Sequence, residues 1–258
     1  MLWAQPQDIS LESFTKRHLD AYLAHRIDAG RSASTLHHDA LAACVFFEWC
    51  SKNDIIDRDP LSEFKVRNAP ETYKFVPKAD TVRDLLKAVQ NFYDAAQNSK
   101  SAKGHTAKNR SFHRERAYAI ELVKLDTACR IGEVMNFKES DYSNTEKGRQ
   151  LTVRYAKGRK PRVLPVSSLC AEAINEWLKI RKRVMSNMPQ DFDEGWLFMS
   201  ETGSRANEGN YLHTLKRIVR WAGLPEGINN HSQRRYSLTV NAKDEKGRHT
   251  LRAGVSRA

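Results

Sequence analysis

The stretch that most limits how this chain can fold is "KVRNAPETYKFVPK", residues 65–78. It carries Pro70 and Pro77 among basic and polar residues. Proline has no amide hydrogen and pushes the residue before it out of the helical region, so neither a helix nor a central strand is expected to run through the segment. An extended linker is the expected outcome, and it cuts the 258 residues into two folding units. The expected partition is a small helical unit over 1–66, a linker over 67–79 and a larger domain over 80–258.

Ahead of the linker, "SLESFTKRHLDAYLAHRIDAG" places Phe14, Leu19, Tyr22, Leu23 and Ile27 on one side of a helix. Ser10 stands in position to cap its start and Gly30 to end it. "SASTLHHDALAACVFFEWCSKNDII" begins a second helix, capped by Ser32 or Ser34, with Leu36, Ala40, Ala43, Phe47 and Cys50 as its apolar stripe. Pro60 in "DRDPL" closes the unit.

Beyond the linker a helix is expected over about 80–94, followed by the polar, basic loop "AAQNSKSAKGHTAKNRS". Its lysines either meet a polyanion or are simply solvated. "HRERAYAIELVKLDTACRIGEVMNF" is strongly helical, with Ala117, Ile120, Val123 and Leu125 on an apolar face and Gly132 in a second short helix or a turn. "RQLTVRYAKGRKPRVLPV" switches to a period of two: Leu151, Val153 and Tyr155 alternate, "KGRKP" turns, and Val163, Leu164 and Val166 follow. That pattern predicts a β-hairpin. "SSLCAEAINEWLKIRKRVM" returns to helix and "GWLFMSETGSR" is a short extended piece. "NYLHTLKRIVRWAGL" is a helix expected to bury Leu212, Leu215, Ile218, Val219 and Trp221. The fold class is mainly α with a small β-sheet or hairpin, an α+β arrangement.

Lys and Arg outnumber Asp and Glu by 43 to 31, a net charge of +12. Such an excess favours nucleic acid as partner, because basic side chains displace its condensed counterions. A soluble basic enzyme is the other reading. No window approaches ~18 consecutive apolar residues, so no membrane span is expected. The start, "MLWAQPQDISLESF", lacks the pattern of a secretory signal. Cys44, Cys50, Cys129 and Cys170 are scattered without a C-x-x-C pair, which signals neither a zinc site nor a disulfide framework. Cys44 and Cys50, among aromatic residues, are expected to pack as small hydrophobes. No cluster of Asp, Glu and His with ligand spacing lies near the basic residues. No metal and no cofactor is therefore expected, and a metal-dependent nuclease is disfavoured.

Three short segments carry candidate chemistry. Arg130, in "LDTACRIGEV", ends an apolar helix, and such a residue either pairs with an acid or faces a polar cleft. Glu133, three residues on, is within reach for an ion pair. The hairpin turn presents Lys157, Arg159, Lys160 and Arg162, either as a solvated tip or as cations for phosphate. In "HSQRRYSLT", His231 and Arg234 are three apart and share a helix face, although His231 also fits a helix start satisfied by local hydrogen bonds.

Taken in order, these segments resemble the tyrosine recombinases, the phage integrase family, over most of the chain. Residues 10–66 are similar to the family's helical, SAM-like core-binding domain, and "LDTACRIGEVMNFKESDY", "VRYAKGRKPRVLPV" and "HSQRRYSLT" to three segments of its catalytic domain. The resemblance implies that Arg130 and Arg234 bind a scissile phosphate and that Glu133 supports the site. Lys157 would be the general acid for the departing 5′ hydroxyl, with Lys160 as its alternative, and His231 would assist proton transfer. Lys65, Arg67, Arg159, Lys160, Arg162 and Arg235 would supply further DNA contacts. The implied partners are double-stranded DNA and further copies of the chain on that DNA, with no membrane and no small-molecule cofactor. The implied setting is cytoplasmic, DNA-associated, and bacterial or phage-derived. The chemistry suits these residue types: two guanidiniums answer charge on the non-bridging oxygens without a metal, and a tyrosine nucleophile would keep the bond energy in a phosphotyrosine.

The chain departs from the pattern at two places. Ala128–Cys129 stands where the family has a glycine-containing step. After Arg234 the sequence reads "RYSLTVNAKDEKGRHTLRAGVSRA", and its one tyrosine is Tyr236. Positions two apart on a helix point in roughly opposite directions, so Tyr236 is expected to pack or to touch DNA backbone rather than to attack the phosphate. The expectation is a family member lacking its C-terminal nucleophile helix, which binds DNA but cleaves little by itself. The alternative is a non-catalytic DNA-binding regulator with the same fold.

Overall fold

The computed structural model describes residues 9–71, 73–95, 109–145, 148–154, 161–189 and 193–243. The chain divides into two compact units, Met1–Tyr73 and Lys74–Ala258. The division falls inside the proline-bearing segment, whose described residues adopt neither helix nor strand.

The first unit pairs helix α1 (Lys16–Asp28) with helix α2 (Ala33–Lys52). Thr15, not Ser10, stands at the cap position of α1. Ser10 is engaged one turn earlier, where its backbone N–H donates to the Ser13 hydroxyl at 2.9 Å. Gly30 takes a φ of +70° after the helix, a conformation that costs glycine little. Ser32 caps α2, accepting a hydrogen bond from the Thr35 N–H at 3.2 Å. Leu19, Phe47, Cys50, Ile56 and Leu61 form the small core, and Phe14 stacks on Phe47 with ring centroids 4.5 Å apart. Ile27 lies in the last turn of α1, outside that core, and is 58% exposed rather than buried.

The second unit is built around helix α4 (Arg110–Thr127). Helices α3 (Ala79–Ala95), α6 (Ser168–Met185) and α8 (Asn230–Lys243) pack against it, as do the short α5 (Ile131–Met135) and strand β3 (Arg162–Pro165). Every residue from Ala117 to Leu125 is buried, so α4 has no solvent face over two turns and more than the one apolar face expected. Trp177 of α6 is fully buried; its indole N–H donates to the Leu197 carbonyl at 2.7 Å and its ring meets Phe112 edge-on. Helix α7 (Glu208–Trp221) buries Tyr211, Leu215, Ile218 and Val219, a stripe at helical spacing. Trp221 falls off that stripe at the helix end and is 48% exposed, and Leu212 is only half-buried.

Strands β1 (Tyr142–Thr145), β2 (Gly148–Val153) and β3 form an antiparallel sheet in that order. The expected hairpin is present as β2 and β3, with Leu151 opposite Leu164 and Val153 opposite Arg162. β1 was not expected, because "YSNT" lacks apolar alternation; its place is set by pairing with β2. The period of two turns Arg162, Leu164 and Val166 to one face and leaves Val163 55% exposed on the other. No helix of the described residues is long and apolar enough to cross a membrane.

Because α4 is enclosed, two charged residues are carried inside with it. Lys124 Nζ lies 2.8 Å from Glu121 Oε1, the Tyr211 hydroxyl donates to that same oxygen, and Nζ sits 5.1 Å from the Tyr211 ring centre. Burial pushes the Lys124 ammonium pKa down, against the pull of Glu121. Removing one partner leaves the other charge uncompensated in the core. Lys124→Met is expected to cost about 3–5 kcal/mol in urea denaturation, and Glu121→Leu added to it should return most of that loss. A single-variant loss below about 1 kcal/mol would show that the pair is not buried as a charge pair.

Candidate active site

The site forms where the C-terminal end of α4, the start of α5 and the first turns of α8 meet. Helix α4 stops at Ala128, whose φ of 50° and ψ of 28° are left-handed. An L-residue with a Cβ holds that conformation at a cost of about 1 kcal/mol. The turn redirects the chain so that Arg130 caps α5. Its backbone N–H donates to Glu133 Oε2 at 2.9 Å.

Glu133 is buried, and its closest charged partner is not Arg130. Arg162 reaches it from β3 with Nη2 at 2.9 Å from Oε2 and Nη1 at 3.3 Å from Oε1. The Arg130 Nη1 stays 3.7 Å from Oε1, and the Arg130 side chain is 49% exposed. Burial pushes the Glu133 carboxyl up, but the hydrogen bonds from Arg162 and from the Arg130 N–H, with the two charges, bring it below its ordinary range.

On α8, the Asn229 side chain accepts from the N–H groups of His231 and Ser232, both at 2.9 Å, and fixes the first turn. His231 is exposed there. Arg234 donates to the Ala128 carbonyl, tying α8 to the left-handed corner. Burial, then the neighbouring Arg130 guanidinium, lowers the Arg234 pKa. Two guanidiniums are thus held close together although they repel.

Arg130, Glu133, His231 and Arg234 line one open cleft of about 370 Å³, with Asn136, Glu208 and Asn230. Lys157, Arg159 and Lys160 of the hairpin turn lie outside the described residues. Arg162 turns inward onto Glu133, and Arg235 donates to the Phe75 carbonyl at 3.0 and 3.2 Å, so both expected DNA contacts are occupied by protein groups. Phe75 also covers Gly227 so closely that any Cβ there would lie 2.7 Å from its ring. Lys65 and Arg67, in the first unit, are exposed. Tyr236 does not line the cleft; it is 6% exposed within the core, and burial raises its pKa. Residues 244–258, on which the expected lack of a nucleophile helix bears, lie outside the described residues.

The sequence reading missed Asn136, Glu208 and Asn230 at the cleft. Asn230 Oδ1 is buried with no hydrogen-bond partner among the described residues. The inward turn of Arg162 did have a signal: it shares the alternation of Leu164 and Val166.

Residues 83–244 match the family model described as Phage integrase family. The chain belongs to that family. Among curated relatives of this family, the chain is 26% identical over 224 residues to tyrosine recombinase XerC 1 of Ralstonia nicotianae. That match covers 86% of this chain and 65% of the relative. XerC of Shewanella amazonensis is 27% identical over 242 residues, covering 92% and 71%. The chain thus spans about two thirds of these relatives' length. Among solved structures, the XerH site-specific recombinase bound to palindromic difH substrate, a post-cleavage complex, superposes with a TM-score of 0.67 at 17% identity. It covers 94% of this chain and 65% of that one. A lambda integrase tetramer bound to a Holliday junction gives 0.65 at 16%, covering 93% and 64%. These likenesses establish the tyrosine recombinase fold, mostly helical with a small antiparallel sheet.

Two outcomes test the geometry. Ala128→Gly relieves about 1 kcal/mol of left-handed strain, which the looser unfolded chain and the lost buried methyl largely offset, so stability in urea denaturation should change by no more than about 0.5 kcal/mol. A loss above about 1.5 kcal/mol would mean that the corner is not left-handed. The second concerns Glu133, whose folded pKa is depressed. Its stabilisation is complete above its ordinary value of 4.5 and fades as pH falls through the folded value. The stability gap between the parent and Glu133→Gln should be constant from about pH 7 to 5 and shrink in more acid solution. A gap that does not change with pH contradicts the assignment.

Proposed function

We propose that this chain is a site-specific recombinase-type protein that binds duplex DNA and holds a scissile phosphate in the Arg130–Arg234 cleft. The observation that carries the reading is the convergence of Arg130, His231 and Arg234 on one cleft whose two carboxylates each have an arginine beside them, Arg162 at Glu133 and Arg205 at Glu208. Two mutually repelling guanidiniums beside an open cleft favour an anion with more than one charged oxygen. Arg130 and Arg234 grip the non-bridging oxygens, His231 assists proton transfer, and Lys157 protonates the leaving 5′ hydroxyl, with Lys160 as its alternative. Lys65 and Arg67 add phosphate contacts from the first unit, and Arg159 from the hairpin turn. Several copies act together on one DNA, as the lambda integrase tetramer bound to a Holliday junction suggests by analogy.

The attacking tyrosine is the open role. Among the described residues no tyrosine lines the cleft, and Tyr236 is packed in the core. On this reading the described residues bind and position DNA, and a tyrosine outside them completes the chemistry. The same observation favours a second reading, a DNA-binding regulator that uses the recombinase fold without catalysis.

Anisotropy titrations of duplex DNA over a salt series check the binding. Arg130→Ala and Arg234→Ala should each weaken binding about tenfold or more and lower the salt slope by about 1. Tight binding with an unchanged slope in both variants would remove the phosphate assignment. A nicked suicide substrate should trap no covalent adduct with this chain alone. An adduct that disappears in Tyr236→Phe would make Tyr236 the nucleophile. Arg130→Ala or Arg234→Ala abolishing recombination in cells would exclude the regulator.

A further inference from the structure

We propose that Arg162 is a positioning residue: it occupies the Glu133 carboxylate so that the Arg130 guanidinium remains turned into the cleft and available to an anion. The inference rests on the reading of the cleft as a phosphate site. Arg162 comes from the base of a basic hairpin, where a DNA contact is the simple expectation, yet its fork is spent on Glu133. Nη2 donates to Oε2 at 2.9 Å and Nη1 to Oε1 at 3.3 Å, and Nη2 also points at Cys129 Sγ, 3.6 Å away. A planar fork matched to a carboxylate is a pairing that lysine does not reproduce.

Arg130 stands in contrast to this pairing. Its Nη1 lies 3.7 Å from Glu133 Oε1, beyond hydrogen-bonding distance, and its side chain is half exposed while that of Glu133 is 7% exposed. A buried carboxylate left with one N–H donor draws in the nearest cation. Without Arg162 that cation is Arg130, which needs to move by less than about 1 Å to make a full hydrogen bond. Captured by Glu133, Arg130 would leave the cleft with one free guanidinium instead of two. Arg162 thus acts on the anion without touching it, and Glu133 is a tether for the hairpin as well as the acceptor at the start of α5.

Binding of a duplex oligonucleotide, followed by anisotropy across a salt series, separates this role from direct contact. Arg162→Ala is expected to weaken binding about tenfold, and Arg162→Lys by less. Adding Glu133→Gln to Arg162→Ala should restore binding to within about threefold of Glu133→Gln alone, because no charged carboxylate remains to capture Arg130. A phosphate contact made by Arg162 itself predicts otherwise: the same loss in both backgrounds, with the salt slope lower by about 0.9 each time. That result overturns the proposal. Should Arg162→Ala fail to fold by circular dichroism, the pair in the Glu133→Gln background decides alone. That double variant buries no uncompensated charge, and equal binding with and without Arg162 supports the positioning role while a loss sinks it. A parent protein that does not bind duplex DNA, or binds equally well after Arg130→Ala, removes the phosphate site and this proposal with it. Failure of the rescue alone removes only the proposal.

Discussion

The Glu133 carboxylate is the interaction on which the rest of the site depends. It accepts the Arg130 N–H that starts α5, and it receives the guanidinium that anchors β3. A buried, ionised carboxylate without partners would cost several kcal/mol, so the hairpin and the α4–α5 corner cannot separate without exposing that charge. One side chain therefore fixes the base of the hairpin relative to Arg130. Ser167, just past β3, adds a second pin, its N–H donating to Asp126 of α4 at 2.6 Å.

The same corner explains why Arg234, far along the chain, ends beside Arg130. Ala128 in the left-handed conformation turns its carbonyl toward α8, and Arg234 donates to it. The two guanidiniums repel, and the arrangement persists because α4, to which the corner belongs, is packed on all sides. Rigid packing beneath repelling charges keeps the two guanidiniums together instead of letting them relax apart.

Much of this was legible in the sequence, and the failures have physical causes. Periodicity placed the helices, and the switch to a period of two placed the β2–β3 hairpin, because one face of each element is buried. It overstated burial at Ile27 and Trp221, which sit in terminal turns at the margin of the buried faces and stay about half exposed. It understated burial on α4, since no spacing rule anticipates Glu121 and Lys124 inside a core, where only their pairing makes them tolerable. Strand β1 was invisible because its order comes from a partner rather than from its own side chains. At the cleft, Arg130, Glu133, His231 and Arg234 were singled out by residue type and order. Their convergence was not readable from any one segment. Arg162 and Arg235 were read as DNA contacts because they lie among other cations, and charge alone does not tell whether a guanidinium faces solvent or a buried acceptor.

Helix α8 shows why local geometry decides what the cleft can do. His231, Arg234 and Leu238 follow helical spacing along the outward face, while Gln233, Tyr236 and Ser237 are buried on the inward one. A rotation of the helix that brought Tyr236 to the cleft would carry Arg234 away from it, so one helix cannot present both at once. The phenol is also unsuited to attack where it stands. Burial raises its pKa, so the phenolate is scarcer than in water; Arg83 opposes this, and Asp80 adds a smaller push in the same direction as burial. On the proposed reading of the cleft, a tyrosine that attacks a phosphate held by Arg234 is therefore not Tyr236 in this setting of α8.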